Sequence, residues 1–220
     1  MKNSWHYSLL IAAGVGLLLA MTGCQTQAIS SAPMTPSTSA HTPSTLPNIT
    51  QQTLAKQSLA QQAQRIQTVL ANGDYDHIIT DIHPTRGVRF SMYAYVRPEV
   101  DKVFSRAQFA QYLRESRIRF TWGDLDGTGD LLIQPLPEYL NTWVAADTFK
   151  GTTPSINVFK HNGNMINNLK EIYPNSEVVE YYFAGTEQYS GMDWRIMRLV
   201  FEEYQGQRYL VAIVNEQWTV

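Results

Sequence analysis

Cysteine is almost missing from this sequence. Cys24 is the single one in 220 residues, which excludes a disulfide within the chain and leaves the fold to be held by its core. An excess of one charge is missing too. Lys and Arg number 17 against 19 Asp and Glu, a formal net charge of −2. Non-specific nucleic-acid binding needs a basic surface, so that class is excluded. A long hydrophobic run is absent: the unbroken apolar and small-residue stretch Leu9 to Ala20 falls short of the roughly 20 residues that span a bilayer. The short motifs of common chemistries are absent as well. There is no G-x-S-x-G, no H-E-x-x-H and no G-x-x-x-x-G-K, and no cysteine beyond residue 24 to serve as a nucleophile. No internal repeat is visible. Aromatic residues, by contrast, are plentiful: 12 Tyr, 8 Phe and 5 Trp supply large areas for burial.

The amino terminus has three parts. Lys2 is positive, Leu9 to Ala20 is apolar, and Met21-Thr22-Gly23-Cys24 closes the stretch with small residues. This pattern resembles the lipobox of bacterial lipoproteins. The resemblance implies cleavage after Gly23, diacylglycerol on the Cys24 thiol, and acylation of the new amino terminus. Residues 1–23 are then a signal peptide and leave the fold argument. Acyl chains hold a protein to a bilayer without a span, at about 0.8 kcal/mol per buried CH₂. Gln25 stands where an Asp resembles the signal for retention in the inner membrane, so the expected location is the outer membrane of a Gram-negative envelope, facing the periplasm.

Residues 24–50 hold Pro33, Pro36, Pro43 and Pro47 among Ser and Thr. Such a segment cannot bury enough apolar surface to offset the entropy of ordering, and reads as a tether. Residues 51–220 read as one domain. Leu59, Ala63, Ile66 and Leu70 recur at helical spacing over 53–72, and Asn72-Gly73 stops that helix. A short helix is expected over 75–81, ended by Pro84. Val88, Phe90, Met92, Ala94 and Val96 alternate with polar or aromatic neighbours as one long strand. Ser105 caps a helix over 106–115, and Ile118, Phe120 and Trp122 alternate as a short strand. Asp124 to Asp130 is a turn, 137–145 a helix, and 156–159 a short strand. The last third is β: 177–183, 194–203 and 208–214, with Gln205-Gly206-Gln207 turning the final hairpin.

The expected fold class is therefore α+β, with N-terminal helices packed on a strongly curved antiparallel sheet whose other side faces a partner or a pocket. Helices, a strand, a helix and then a meander form an order similar to the cone of the nuclear-transport-factor-2-like superfamily. The phrases around His83–Val96, Trp122–Gly129 and Gly191–Arg195 also resemble a group of bacterial exported proteins and lipoproteins to which no activity is assigned.

Three sets of residues are candidates for a site. Arg86, Arg89, Arg195 and Arg198, with Tyr93, Asp193 and Trp194, suit an anionic ligand on a sheet, because Arg donates in a fixed fork. Internal salt bridges are the competing reading. Arg195 and Arg198 have opposite parity on one strand and should point to opposite faces. Asp124, Asp126, Thr128 and Asp130 partly match the start of a calcium loop, but Pro135 stands where a bidentate Glu belongs, so a plain Asp/Gly turn competes. His83 lies near Asp81, a pairing that suits general-base work. No other cofactor is expected.

The functional expectation is an envelope lipoprotein, bound to the bilayer through Cys24, whose domain binds a protein partner or small ligand. An envelope hydrolase or lyase built on His83 with an Asp or Arg is one alternative. A structural or assembly protein of the envelope is the other.

Overall fold

The computed structural model describes residues 48–160, 163 and 165–219, and side chains from Ser58 onward. Residues 1–47, where the signal peptide, Cys24 and most of the tether were expected, lie outside the described residues, as do His161, Asn162, Asn164 and Val220.

The first helix, α1 (Asn48–Asn72), begins before the boundary expected at residue 50. Leu59, Ala63, Ile66 and Leu70 are all buried, so its helical apolar period becomes one packed stripe. Gly73 takes a positive φ just past the end, and the Gly73 and Asp74 N–H groups return to the Leu70 and Val69 carbonyls. A second helix, α2 (Arg106–Arg114), opens with the expected Ser105 cap. Ser105 Oγ accepts from the Gln108 N–H, and the Gln108 side chain accepts from the Ser105 N–H.

The main sheet has six strands: β1 (Val88–Ser91), β2 (Lys102–Phe104), β5 (Ser155–Ile156), β6 (Glu177–Phe183), β7 (Arg195–Tyr204) and β8 (Gln207–Gln217). Their order is β2-β1-β8-β7-β6-β5. The sheet is mixed rather than antiparallel throughout, because β1 lies parallel to β8. Gln205 and Gly206, both at positive φ, close the β7–β8 hairpin in two residues.

Between them lies a separate hairpin, β3 (Arg119–Asp124) with β4 (Leu131–Pro135). The aspartate turn joins these strands, where the sequence led us to expect a strand and then a helix. The helix follows β4 instead, as α3 (Leu136–Tyr139) running into a π-helical turn, Leu140–Val144. A last short helix is α4 (Leu169–Ile172).

The long strand expected over 88–96 stops at Ser91, because side chains take the backbone groups that a ladder would use. Trp143 Nε1 donates to the Met92 carbonyl at 3.0 Å, and Ser91 Oγ donates to the Tyr93 carbonyl at 2.9 Å. Asn168 Oδ1 accepts from the Val96 N–H at 2.8 Å, while its Nδ2 donates to the Val96 carbonyl at 3.0 Å.

Both faces of the sheet are covered. The inner face carries Val179, Tyr181, Met197, Leu199, Phe201 and Ile213 against α1, α2 and α3. Rings fill this core: Trp122 stacks on Tyr139 at 3.6 Å between centroids, and Phe90 meets Phe104, Phe109, Trp122 and Tyr139. The outer face was expected to be open to a partner or pocket. Instead Val178, Val200, Ala212 and Val214 pack there with Leu169, Tyr173 and Phe159. No helix among the described residues is long and apolar enough to cross a membrane.

Candidate functional site

The four arginines do not converge. Arg86 pairs with Glu202 at the surface and lies 5.2 Å from the centre of the Tyr173 ring. Arg89 donates from Nε to the Tyr173 hydroxyl at 3.0 Å and stands 3.8 Å from Asp101. On β7 the parity argument holds. Arg195 projects to the inner side, where its Nη1 donates to the Trp143 carbonyl at 3.1 Å and the Thr142 carbonyl at 3.4 Å. It thereby satisfies carbonyls at the end of the π-helical turn. Arg198 projects to the outer side and is fully buried, its Nε 3.0 Å from Glu180 and its Nη1 2.8 Å from Glu216. Each guanidinium is thus committed to the fold, and an anionic pocket built from the four is not formed.

His83 is likewise committed. Its Nδ1 accepts N–H groups from Thr85 at 3.3 Å and Arg86 at 3.1 Å, and its ring packs on Tyr204 and Tyr209. Burial pushes its pKa below the ordinary value, against the pull of Glu202. A neutral ring accepting at Nδ1 is a turn brace. Asp81 turns instead to Arg65 and to Gln62, whose Nε2 donates at 3.3 Å. The expected His83–Asp81 pair is not made.

The aspartate turn is a hairpin loop. The Leu125 N–H donates to the Asp130 carbonyl at 2.7 Å and the Gly129 N–H to the Leu125 carbonyl at 2.8 Å. Arg97 Nη1 donates to Asp124 at 3.1 Å and holds that carboxyl below the usual range. Among the described residues no three of His, Cys, Asp and Glu gather where they could hold a metal ion. Asp124, Asp126 and Asp130 thus stand in the hairpin turn that competed with the calcium reading, and Asp124 is held by Arg97.

Tyr93, Asp193 and Trp194 lie toward the end of the sheet where β8 finishes. Asp193 accepts from the Thr186 N–H at 2.7 Å and its hydroxyl at 2.9 Å, bonds that staple the β6–β7 loop and hold its pKa low. Trp194 is half-buried beside Gly163, where any Cβ would strike its ring and Glu216. Tyr93 is buried, and its hydroxyl accepts the Asp126 N–H at 2.9 Å.

Two cavities meet here at Trp218. One, of about 290 Å³, is lined by Tyr189, Met192, Asp193 and Trp218. The other, of about 210 Å³, has Tyr93, Trp143 and Leu125 as its apolar lining, with Asp126, Thr128 and Gln217 at its polar edge. Side by side at Trp218 they make a region with aromatic walls, here called the groove, that is apolar at the first cavity and polar along one edge of the second, a make-up that suits a binding site. Of its residues the sequence singled out Tyr93, Asp193 and the turn residues Asp126 and Thr128 as site candidates. Tyr189, Met192, Gln217 and Trp218 were missed. Their signals are faint: two large apolar residues in a Gly- and Ser-containing loop, and a tryptophan just beyond the last strand.

The sequence matches no protein-family model, and no curated protein matches it. Among solved structures, a similar chain is one assigned as a calcium/calmodulin dependent protein kinase II association domain from Xanthomonas campestris. It has 12% sequence identity, the match covers 73% of this chain and 85% of that chain, and the TM-score is 0.31. A likeness of that size carries no argument about activity, ligand or assembly.

Proposed function

We propose that this chain is a lipid-anchored protein of the bacterial envelope, held through Cys24 to the outer membrane and facing the periplasm. Its single domain is a non-catalytic binding module, with the groove around Trp218 as its site. One observation carries this reading. Tyr189, Met192 and Trp218 are 53%, 51% and 37% exposed around one cavity, while the interior is filled by packed rings. Large apolar side chains left in water as a patch mark a place where something binds. The arginines and His83 are occupied by the fold, which disfavours the hydrolase reading. A cone of the nuclear-transport-factor-2-like kind is the fold we infer. Pairing of the first strand with the last, and the packing of α1 on the inner face, support it.

The reading is tested in cells with a photocrosslinking side chain at position 192 and, as control, at position 207, where β8 begins beside the turn at the other end of the β7–β8 hairpin. Adducts are expected at 192 and not at 207, and Trp218→Ala should remove them. Equal labelling at both positions would sink the groove as the site. In the same cells Cys24→Ser should abolish palmitate incorporation and release the protein from the membrane fraction. A variant that stays membrane-bound refutes the anchor.

A further inference from the structure

The two cavities share Trp218 but offer different chemistry. In the first, the carboxylate of Asp193 is taken up by Thr186, so a guest meets mainly the carbon and sulfur of Tyr189, Met192 and Trp218. In the second, Tyr93 and Trp143 stand edge to face at 5.7 Å and 85°. Their polar atoms are already engaged: the Tyr93 hydroxyl accepts from the Asp126 N–H, and Trp143 Nε1 donates to the Met92 carbonyl. These rings are locked in place and add π surface more than hydrogen bonds. Asp126, beside them, is exposed. Its carboxylate makes no hydrogen bond or ion pair among the described residues, whereas neighbouring Asp124 is paired with Arg97. The Asp126 charge lies close enough to the Tyr93 hydroxyl to raise its pKa, after the larger effect of burial.

The sign of the charge decides the guest. No Lys, Arg or His lines either cavity, and Arg195 is turned toward helix-end carbonyls. An anion would meet an unpaired carboxylate, and the one guanidinium whose charge reaches Tyr93, that of Arg97, is already paired with Asp124. A cation would meet that carboxylate together with aromatic rings whose quadrupoles attract positive charge. We propose that the groove binds an organic cation bearing an apolar substituent. Its ammonium or guanidinium group sits at Asp126 among Tyr93, Trp143 and Trp218, and its substituent lies against Tyr189 and Met192. This rests on the reading of the groove as the binding site and names its ligand chemistry. A free alkylammonium and a basic side chain next to an apolar one in a peptide present the same chemistry.

The test uses the chain from residue 24 onward, carrying Cys24→Ser, and follows tryptophan fluorescence and calorimetry. Benzyltrimethylammonium is the cationic probe, and benzyl alcohol the neutral one. The cation should saturate the site and bind about tenfold more tightly than the alcohol. Asp126→Asn should cut that preference severalfold and leave the alcohol unaffected, and added salt should weaken the cation alone. Trp218→Ala, at a position 37% exposed, should weaken both probes while the protein still unfolds in one cooperative step. Acetyl-Lys-Phe-amide against acetyl-Gln-Phe-amide separates the two sources. A lysine peptide tighter than benzyltrimethylammonium points to a protein partner, and the reverse to a free cation. Equal binding of cation and alcohol overturns the proposal but leaves the groove as an apolar site. Absence of binding by all four probes, with the variants folded, overturns the proposal and counts against the groove as well.

Discussion

Asp101 is closed off from solvent just ahead of β2, and its burial raises its pKa to about 6 from an ordinary 3.8. The Arg97 N–H at 2.9 Å and Arg89 at 3.8 Å oppose that rise without cancelling it. The native state therefore holds this proton more tightly than the unfolded chain does. Between roughly pH 4 and pH 6 the native state carries more protons than the unfolded one, so the Asp101 contribution to stability falls as pH rises through that window. Asp101→Asn keeps an oxygen for the Arg97 N–H and cannot ionise. Urea unfolding of both proteins from pH 4 to pH 7 should show the wild type losing stability relative to the variant as pH rises. Parallel curves would show that Asp101 is not the group responsible. Asp101 was not singled out in the sequence, and the polar residues that were follow the same logic of burial and partners. Arg195, Arg198, His83 and Asp193 were legible as polar residues in unusual places. Nothing in their spacing showed that each already had a partner inside the fold.

At the scale of elements, local signals served well wherever one element could be read alone. The α1 stripe, the Ser105 cap and the β7–β8 hairpin lie where residue periods and turn chemistry put them. The failure at residues 92–96 is instructive. Alternation continues to Val96 in the sequence, but a strand also needs a neighbour for its backbone, and here Trp143, Ser91 and Asn168 take those groups. Asn168 serves both the N–H and the carbonyl of Val96 from 72 residues away. Asn168→Ala should leave both buried and unpaired, at a cost of about 2 kcal/mol in urea unfolding. It should also raise hydrogen exchange in 92–96 well above that in β7 and β8. A uniform rise across the sheet would mean that Asn168 serves general packing and does not define this segment.

At the scale of the whole molecule, the sheet works as a partition with a ring-filled core on one side and a smaller apolar cover on the other. Through the cover side runs a buried row, Glu180 on β6, Arg198 on β7 and Glu216 on β8, all at most 2% exposed. The Lys160 N–H donates to Glu180 at 3.0 Å, and the Arg198 guanidinium lies 5.4 Å from the centre of the Phe159 ring, so the row ties three strands to the segment above them. Removing the central cation would strand two carboxylates away from water. Arg198→Ala should therefore cost about 3–5 kcal/mol in denaturant unfolding. A loss below about 1 kcal/mol would show that water reaches the carboxylates in solution.

The sequence alone determined the lipobox-like start, the tether composition, the α+β class and most element positions, because each depends on residues close together in the chain. Tertiary structure decided the parallel pairing of β1 with β8, the covered outer face and the commitments of the arginines. It also decided the groove, whose residues come from five separate stretches between Tyr93 and Thr219. A periodic pattern records which face of an element avoids water. It does not record which distant element meets that face, and the site depends on that meeting.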